Sequence, residues 1–284
     1  MSFNIFDENF YLSSYPDVKA AVDNKQISSG LEHFQRSGLT EGRTLVSPYY
    51  NEETYLQKHA DVAAAVADGS LKSGLQHYIQ NGEAEGRSPG AFDEEAYLKL
   101  YPDVAAAVEA GALSSGLQHY IKYGQAELNR VGVLSGTTGN DTITSLAKSG
   151  HANYITGVDI TEYTPRANGD LNFTTSNFGS GEVDTLVGGD GDDLFQLGTS
   201  WQPFGIPQSF YVGSGSDDYA LIKNFEPGKD AISLGGYSSI TYRFEEDNGN
   251  LNISTVNGDL IAKVEGVSSL SQLPGSSNGT FLLG

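Results

Sequence analysis

The sequence predicts an α+β protein of two domains, with α-helical repeats over residues 1–130 and a β domain over residues 131–284. Three observations lead to this prediction. One sequence unit occurs three times in the first domain, at separations of 44 and 42 residues. Nine-residue segments rich in glycine and aspartate follow in the second domain. Alternating apolar residues separated by Asn-Gly pairs come after them, which is typical of hairpins.

The three copies of the helical unit lie at about residues 6–49, 50–91 and 92–130. Each has a segment such as FDEEAYLKLYPDV, an alanine-rich run and a segment such as SGLQHYIKYG. In the third copy we expect a helix capped by Asp93, a second with Pro102 in its first turn, and a third that ends at Gly124. Because no copy buries its apolar face alone, we expect the three to stack into a short rod.

One histidine recurs in each copy, and two interpretations are open for His33, His77 and His119. They would form a ladder of metal ligands if the copies brought them together. The simpler interpretation is a hydrogen bond from each imidazole to the start of a helix in its own copy, at Asp17, Asp61 or Asp103. The repeated Glu-Gly-Arg sequence at residues 41–43 and 85–87 is expected to form a cap and an ion pair that joins neighbouring copies.

The second domain contains the pattern G-G-x-G-x-D-x-U-x, in which U is a large apolar residue. Residues 188–196 read GGDGDDLFQ and match every fixed position. Partial matches occur at residues 136–144, 179–187 and 213–221, and residues 225–234 read F-x-x-G-x-D-x-I-x-L. Glycines permit a tight turn, and the aspartate supplies an oxygen of the kind that calcium prefers. Ordinary turns between strands are the alternative interpretation.

These segments resemble the nonapeptides of the repeats-in-toxin (RTX) family, in which successive turns stack into a parallel β-roll with calcium between them. The resemblance implies such a roll within residues 131–284, calcium as the bound ion, and ligands at Asp141, Asp184, Gly189, Gly191, Asp193, Asp218 and Asp230. The helical unit resembles a Y-L-x-x-Y-P-D-V repeat found beside RTX segments and glycosyltransferase-type proteins in bacteria, notably cyanobacteria. No settled activity follows from that second resemblance.

Residues 199–209 interrupt the nonapeptide spacing. Asp193 and Asp218 are 25 residues apart, whereas two nine-residue repeats span 18, so about seven residues should bulge out as a loop. This count would leave both aspartates on the same side of the roll. Trp201 and Phe204 of the loop are expected either to form a contact patch or to cover the end of the core. Strands around Tyr242, near residue 252 and near residue 262 should form an antiparallel cap.

The composition excludes several classes of function. The chain has 36 acidic and 16 basic side chains, a net charge of −20, which disfavours nucleic acid and anionic membranes as partners. It has no cysteine, and no apolar run long enough for a transmembrane segment. The N-terminal sequence MSFNIFDENF lacks the features of a cleaved secretory signal. The RTX resemblance implies instead type I secretion to the cell surface or the exterior, through a C-terminal signal.

No catalytic motif is recognisable, so we expect a protein that is not an enzyme. His151 and Asp159 are close in sequence, but no G-x-S-x-G or H-E-x-x-H pattern accompanies them. The sequence therefore predicts a secreted calcium-binding protein with a structural or adhesive role, acting through self-association. The alternative is a polysaccharide-binding or carbohydrate-active accessory protein. Exposed aromatic side chains aligned on one face would favour the alternative, and aromatics packed inside the repeats would favour the structural role.

Overall fold

A computed structural model describes residues 1–165, 171–201, 206–236, 242–274 and 280–284 of the chain. It confirms a mixed α/β protein with helices towards the N-terminus and both parallel and antiparallel sheets after them. The chain divides into two compact units. We call residues 1–95 with 106–118 the helical unit, and residues 96–105 with 119–284 the strand-rich unit. Within the described ranges, no helix is long and apolar enough to cross a bilayer.

The helices follow the sequence copies in order. They are α1 Glu8–Ser14, α2 Pro16–Asp23, α3 Gly30–His33, α4 Leu39–Glu41, α5 Glu52–Lys58, α6 Ala60–Ala67, α7 Gly74–His77, α8 Glu94–Leu100, α9 Pro102–Glu109 and α10 Gly116–Lys122. Turns of π-helix at Phe34–Gly38 and Tyr78–Gly82 continue α3 and α7, and a short 3-10 turn at Gly124–Ala126 follows α10. The three helices predicted for the third copy are therefore confirmed as α8, α9 and α10.

Short polar side chains start these helices. Asp7 accepts a hydrogen bond from an N–H in the first turn of α1, and Asn51 does the same for α5. Ser29 and Ser73 serve α3 and α7 in the same way. Pro16 occupies the first turn of α2, where a residue without an N–H leaves no helical hydrogen bond unmade.

A fully buried tyrosine lies at the centre of the second copy. The ring of Tyr55 packs edge-on against Tyr78, with their centroids 5.7 Å apart, and neither ring is exposed. The Tyr55 hydroxyl fills the space beside Gly82, so that a Cβ added at this glycine would collide with it. Gly38 and Tyr11 repeat this arrangement in the first copy. Residue 82 therefore has to be glycine because the Tyr55 hydroxyl leaves no room for a Cβ.

We expect Gly82→Ala to destabilise the helical unit by about 1–3 kcal/mol, the usual cost of overpacking a core. The measurement is urea unfolding followed by far-UV circular dichroism. Tyr55→Phe removes the hydroxyl that the new methyl group would meet, so the glycine substitution should cost less in that background. An equal cost in both backgrounds would show that the hydroxyl is not what excludes a side chain at residue 82.

The strands lie between residues 132 and 283. They are β1 Gly132–Thr137, β2 Thr142–Thr144, β3 Asn153–Val158, β4 Glu162–Pro165, β5 Leu171–Thr174, β6 Val183–Val187, β7 Leu194–Gln196, β8 Gly198–Trp201, β9 Ile206–Ser209, β10 Tyr219–Lys223, β11 Ala231–Gly235, β12 Tyr242–Asp247, β13 Asn250–Thr255, β14 Leu260–Val264 and β15 Thr280–Leu283. The first sheet has the order β1-β3-β7-β11-β15, and the second has the order β12-β13-β14-β10-β6-β2. Strands β4 with β5 and β8 with β9 form separate hairpins.

From β1 to β11, the strands outside the two hairpins alternate between the first and second sheets and pair in parallel. The register places large apolar residues opposite one another in each sheet. The first sheet has the row Leu134, Ile155, Phe195 and Ile232, and the second has the row Ile143, Leu186, Ile222 and Val264. All eight side chains are buried, so these rows supply much of the hydrophobic stabilisation of this unit.

Strands β8 and β9, which lie within or next to the interruption at residues 199–209, pair with each other in antiparallel fashion. However, Asp193 immediately precedes β7 in the first sheet, and Asp218 immediately precedes β10 in the second. The prediction that these aspartates share a side is wrong, because the chain crosses to the other sheet after the hairpin. The predicted patch at Trp201 and Phe204 concerns side chains outside the described part of the chain.

The antiparallel pairing predicted for the last strands, here called the cap, is confirmed. Strands β12, β13 and β14 pair in antiparallel fashion, and β14 also pairs in parallel with β10. Both predicted Asn-Gly turns form, and Asn248, Gly249 and Gly258 have the positive φ angles of 53°, 83° and 101° that such turns need. The cap therefore continues the second sheet beyond the last parallel strand.

Candidate functional site

The recurring histidines bind a tyrosine of their own copy. In the second copy, the Tyr55 hydroxyl lies 2.9 Å from Nδ1 of His77, and Nε2 of this ring lies 3.8 Å from Glu85. The pairs Tyr11–His33 and Tyr97–His119 repeat the first contact at 3.0 Å. The predicted hydrogen bond to the aspartate at a helix start is wrong, because an arginine takes that carboxylate.

This arginine forms its ion pairs within its own copy. In the first copy, the Arg43 guanidinium binds both oxygens of Asp17, at 3.0 and 2.7 Å, and also Glu41 at 2.7 Å. The hydrogen bonds from Arg43 lower the pKa of Asp17 to about 2. The predicted ion pair between neighbouring copies is therefore wrong. Arg130 pairs with Asp103 in the same way, although the third copy reads ELNR where the others read EGR.

A glutamate in each copy binds the start of a later helix in that copy, a contact that the sequence analysis missed. Glu52 accepts hydrogen bonds from the N–H groups of Gly74 and Leu75, at 2.6 and 3.0 Å. Glu8 and Glu94 do the same for the helices that begin at Gly30 and Gly116. The available signal was the recurrence of glutamate 22 residues before each of these glycines. These carboxylates satisfy N–H groups that have no partner within the helix.

Burial raises the pKa of Glu94 to about 7, and two backbone hydrogen bonds oppose this effect. The folded chain then holds this proton more tightly than the unfolded chain, whose carboxyl titrates near 4.5. The resulting stabilisation is complete below that pH and is lost as the pH rises towards 7.

We therefore expect the wild type to lose on the order of 2 kcal/mol of its unfolding free energy between pH 4.5 and 7.5. Glu94→Gln, whose side chain cannot ionise, should not show this loss. The measurement is the free energy of unfolding in urea at a series of pH values. The wild type should weaken relative to the variant as the pH rises. Parallel pH profiles for the two proteins would contradict the assignment.

Two edges of the parallel sheets hold the predicted calcium ligands. The first-sheet edge consists of the turns before β3, β7 and β11, at residues 145–152, 188–193 and 224–230. The second-sheet edge consists of the turns before β2, β6 and β10, at residues 138–141, 179–182 and 213–218. Asp193 and Asp230 lie at the first, whereas Asp141 and Asp218 lie at the second, with Asp184 just inside β6. The structure thus divides the predicted ligands between two places.

At the first-sheet edge, the carboxylates already accept hydrogen bonds from the protein. Asp193 accepts one from the Ser145 hydroxyl at 2.6 Å and one from the Gly189 N–H at 2.8 Å. Asp230 accepts one from the Asp193 N–H and one from the Glu226 N–H, both at 2.9 Å. Each of the four oxygens has a donor, so hydrogen bonds link these turns to one another.

The glycines of the full nonapeptide match serve close packing. A Cβ at Gly189 would lie 2.9 Å from the Ser145 carbonyl oxygen, and a Cβ at Gly191 would collide with the His151 carbonyl oxygen. This edge also contains a positive charge, because Nζ of Lys229 lies 2.7 Å from the Asp190 carbonyl oxygen. The same ammonium group lies 2.6 Å from the Glu226 carboxylate. The roles of Gly189, Gly191, Asp193 and Asp230 as calcium ligands stay predictions.

At the second-sheet edge, the register differs from the one that the nonapeptide pattern predicts. That pattern aligns Ala220 with Leu186, and hence Asp218 with Asp184. The strands instead pair Ile222 with Leu186 and Ala220 with Asp184. The predicted alignment is wrong by two residues, because Ile222 fills the apolar row better than the small Ala220. Asp218 therefore lies level with Glu182.

Asp184 is held by two hydrogen bonds. Its Oδ1 accepts the Asp141 N–H at 2.8 Å, and its Oδ2 accepts the Tyr211 hydroxyl at 2.6 Å. A Cβ at Gly157 would collide with both the Asp184 carboxylate and the Tyr211 hydroxyl, so this glycine leaves room for the pair. Burial raises the pKa of Asp184 to about 6.

Glu182 and Asp218 each retain an unused oxygen. Glu182 is 3% exposed and Asp218 is fully buried. Oε2 of Glu182 and Oδ1 of Asp218 have no hydrogen-bond partner among the residues that the structure describes. Burial raises the pKa of Glu182 to about 7, and the negative charge of Asp184 acts in the same direction. Residues 179–187 read GSGEVDTLV, so Glu182 occupies a position where the nonapeptide pattern has glycine.

Calcium suits the chemistry of the second-sheet edge. It binds six to eight hard oxygens from carboxylates, carbonyl groups and water. Two buried carboxylate oxygens without donors are available there, whereas a metal ion at the first-sheet edge would compete with Lys229 and with existing hydrogen bonds. In the described ranges, no three His, Asp or Glu side chains form a ready ligand group. Carbonyl groups and water would thus have to complete the coordination of an ion beside Glu182 and Asp218.

In comparisons with known proteins, no protein-family model matches this chain. No curated protein is significantly similar to it. The resemblances described for its motifs therefore stay interpretations of short sequence patterns.

Proposed function

We propose that this chain is a secreted calcium-binding protein with a structural or adhesive role at the bacterial cell surface or in the extracellular matrix. In this proposal, three helical repeats form an interaction module, and the alternating parallel strands form a β-roll of the RTX type with an antiparallel cap. The observation that carries the proposal is the pair of buried carboxylates without donors, Glu182 and Asp218, in a chain of net charge −20. Two buried carboxylates remain charged together only where a counter-charge lies beside them.

A bound calcium ion would supply this counter-charge. Binding that occurs only in the folded state stabilises that state, so the strand-rich unit would gain stability where calcium is abundant. This dependence suits a protein that leaves the cell by type I secretion and reaches its final stability outside. The net charge of −20 also disfavours nucleic acid as a partner.

The helical repeats support association through their surfaces. The ring of Tyr15 stacks under the Arg43 guanidinium at 4.7 Å, and Tyr101 stacks under Arg130 at 4.5 Å. The aspartates that pair with these arginines, Asp17 and Asp103, have side chains that are 62% and 63% exposed. The same solvent-facing group thus occurs in the first and third copies, and a recurring group of this kind suits a repeating partner. We propose that this partner is another copy of the same chain.

The alternative function is binding of a cell-surface polysaccharide. Sugar-binding surfaces expose aromatic rings, but the large rings of the repeats, such as Tyr11, Phe34, Tyr55, Tyr78 and Tyr97, are almost fully buried. Among the described aromatics of the repeats, Tyr123 has an exposed ring. The packing of the aromatics therefore favours the structural role.

Calcium is expected to raise the melting temperature of the full chain, and excess chelator to lower it, because the ion binds the folded strand-rich unit. Far-UV circular dichroism measures this effect. Sedimentation with millimolar calcium, at low and high protein concentration, tests association. Equal melting temperatures with calcium and with chelator would remove the calcium role. A monomer at every concentration, together with saturable polysaccharide binding, would favour the alternative.

A further inference from the structure

We infer that the protein has a divalent cation site of the calcium type at the second-sheet edge, in which the carboxylates of Glu182 and Asp218 bind one ion between β6 and β10. This inference rests on the proposed function and deepens it. It places the ion away from residues 188–196, where the nonapeptide pattern is complete. It also assigns a ligand, Glu182, at a position where that pattern has glycine.

The strand register brings the two residues level with each other. Val183 pairs with Tyr219, and the Tyr219 N–H donates to the Glu182 carbonyl oxygen at 3.0 Å. Glu182 and Asp218 directly precede these two paired residues, at the start of neighbouring strands, and neighbouring strands in a sheet are about 4.8 Å apart. Calcium–oxygen distances of about 2.3–2.6 Å allow one ion to bridge carboxylates at that separation.

Each carboxylate is fixed by one oxygen and leaves the other available. Oδ2 of Asp218 accepts the Gly181 N–H at 3.2 Å, and Oε1 of Glu182 accepts the side-chain amide of Asn177. The other oxygen of each side chain is buried without a donor among the described residues. Such an arrangement orients the free oxygens in advance, which reduces the conformational entropy lost on binding.

The surrounding charges favour a cation. Neither Glu182 nor Asp218 forms an ion pair with any described residue, and the nearby buried carboxylates of Asp141 and Asp184 add negative charge. Buried carboxylates of like charge repel one another, and a divalent ion offsets two such charges. The first-sheet edge differs because Lys229 already supplies a positive charge there. Both edges therefore carry aspartates, but only the second-sheet edge has buried carboxylate oxygens that lack a donor among the described residues.

Calorimetric titration of the full chain with calcium chloride tests this site. Glu182→Gln and Asp218→Asn keep the shape of each side chain and remove a charge. Each should weaken calcium binding roughly 10- to 100-fold, the usual range for changes at a metal site. Asp217→Asn is the matched control, because Asp217 is the exposed neighbour of Asp218, and its substitution should leave the affinity unchanged. Asp193→Asn tests the first-sheet edge separately. Far-UV circular dichroism establishes that each variant is folded, and Glu182→Gln carries the test if Asp218→Asn does not fold.

The possible results of this titration distinguish a wrong site from a wrong proposed function. Binding that is lost in Asp193→Asn and retained in Glu182→Gln overturns the site but keeps calcium binding. Binding that is unchanged in every variant also overturns the site, because the ion then lies elsewhere. A wild type that binds no calcium overturns the proposed function and this inference together.

Discussion

Replacing Phe195 with alanine is expected to destabilise the strand-rich unit by about 3–5 kcal/mol, the usual cost of a large cavity in a core. Phe195 is fully buried, is paired with Ile155 and Ile232 on either side, and has its ring centroid 5.9 Å from that of Phe225. Its loss would interrupt the apolar row of the first sheet at its centre. Because a domain of this kind is stable by only about 5–15 kcal/mol, the variant should lose much of its stability.

Urea unfolding followed by far-UV circular dichroism measures this loss. Leu194→Ala is the matched control, since Leu194 is the preceding residue of β7, points to the other face and is only half-buried. It should cost clearly less than Phe195→Ala. Equal costs for the two substitutions would show that the row through Phe195 is not the centre of the core.

The position of Phe195 could be predicted because its signal is local. The full nonapeptide match specifies a glycine turn followed by a short strand with one large apolar residue inside, and β7 has this form. Strand β3, hairpin β12–β13 and helices α8 to α10 were predictable for the same reason. Their periodicity, Asn-Gly turns and helix-ending glycines lie within a few residues of the elements that they specify.

The register of β10 could not be predicted from its own segment. Both Ala220 and Ile222 alternate correctly for an inward position, and the glycines before them support either frame. The choice depends on the neighbouring strand, where Leu186 pairs with Ile222 and leaves Ala220 opposite Asp184. A shift of two residues keeps the same face inward, so the apolar pattern alone does not reveal it. The level position of Glu182 and Asp218 follows from this shift.

The contacts within the repeats were missed for a different reason. The Tyr55–His77 and Glu52–Gly74 contacts each join residues 22 positions apart, across an intervening helix. The recurrence of all four residues was visible in the sequence. Their pairing depends on how α5 and α7 pack, and this is a tertiary property that spacing alone does not specify.

Replacing Glu52 with alanine is expected to destabilise the helical unit by about 2–4 kcal/mol, because three donors lose a charged acceptor. The carboxylate accepts the Gly74 N–H at 2.6 Å, the Leu75 N–H at 3.0 Å and the Tyr50 hydroxyl at 2.6 Å. Leu75 is fully buried and Tyr50 nearly so, so water does not readily replace the lost oxygen atoms.

Glu53→Ala is the matched control for this substitution. Glu53 is the next residue in the first turn of α5, and it is exposed. Its removal changes the interaction with the helix dipole by only about 0.3–1 kcal/mol. Glu52→Gln keeps an acceptor without the charge and should fall between the two. Urea unfolding gives the energies, and hydrogen exchange at the Gly74 and Leu75 amides locates the effect. If Glu52→Ala leaves the exchange of both amides as slow as in Glu53→Ala, the carboxylate does not hold the start of α7.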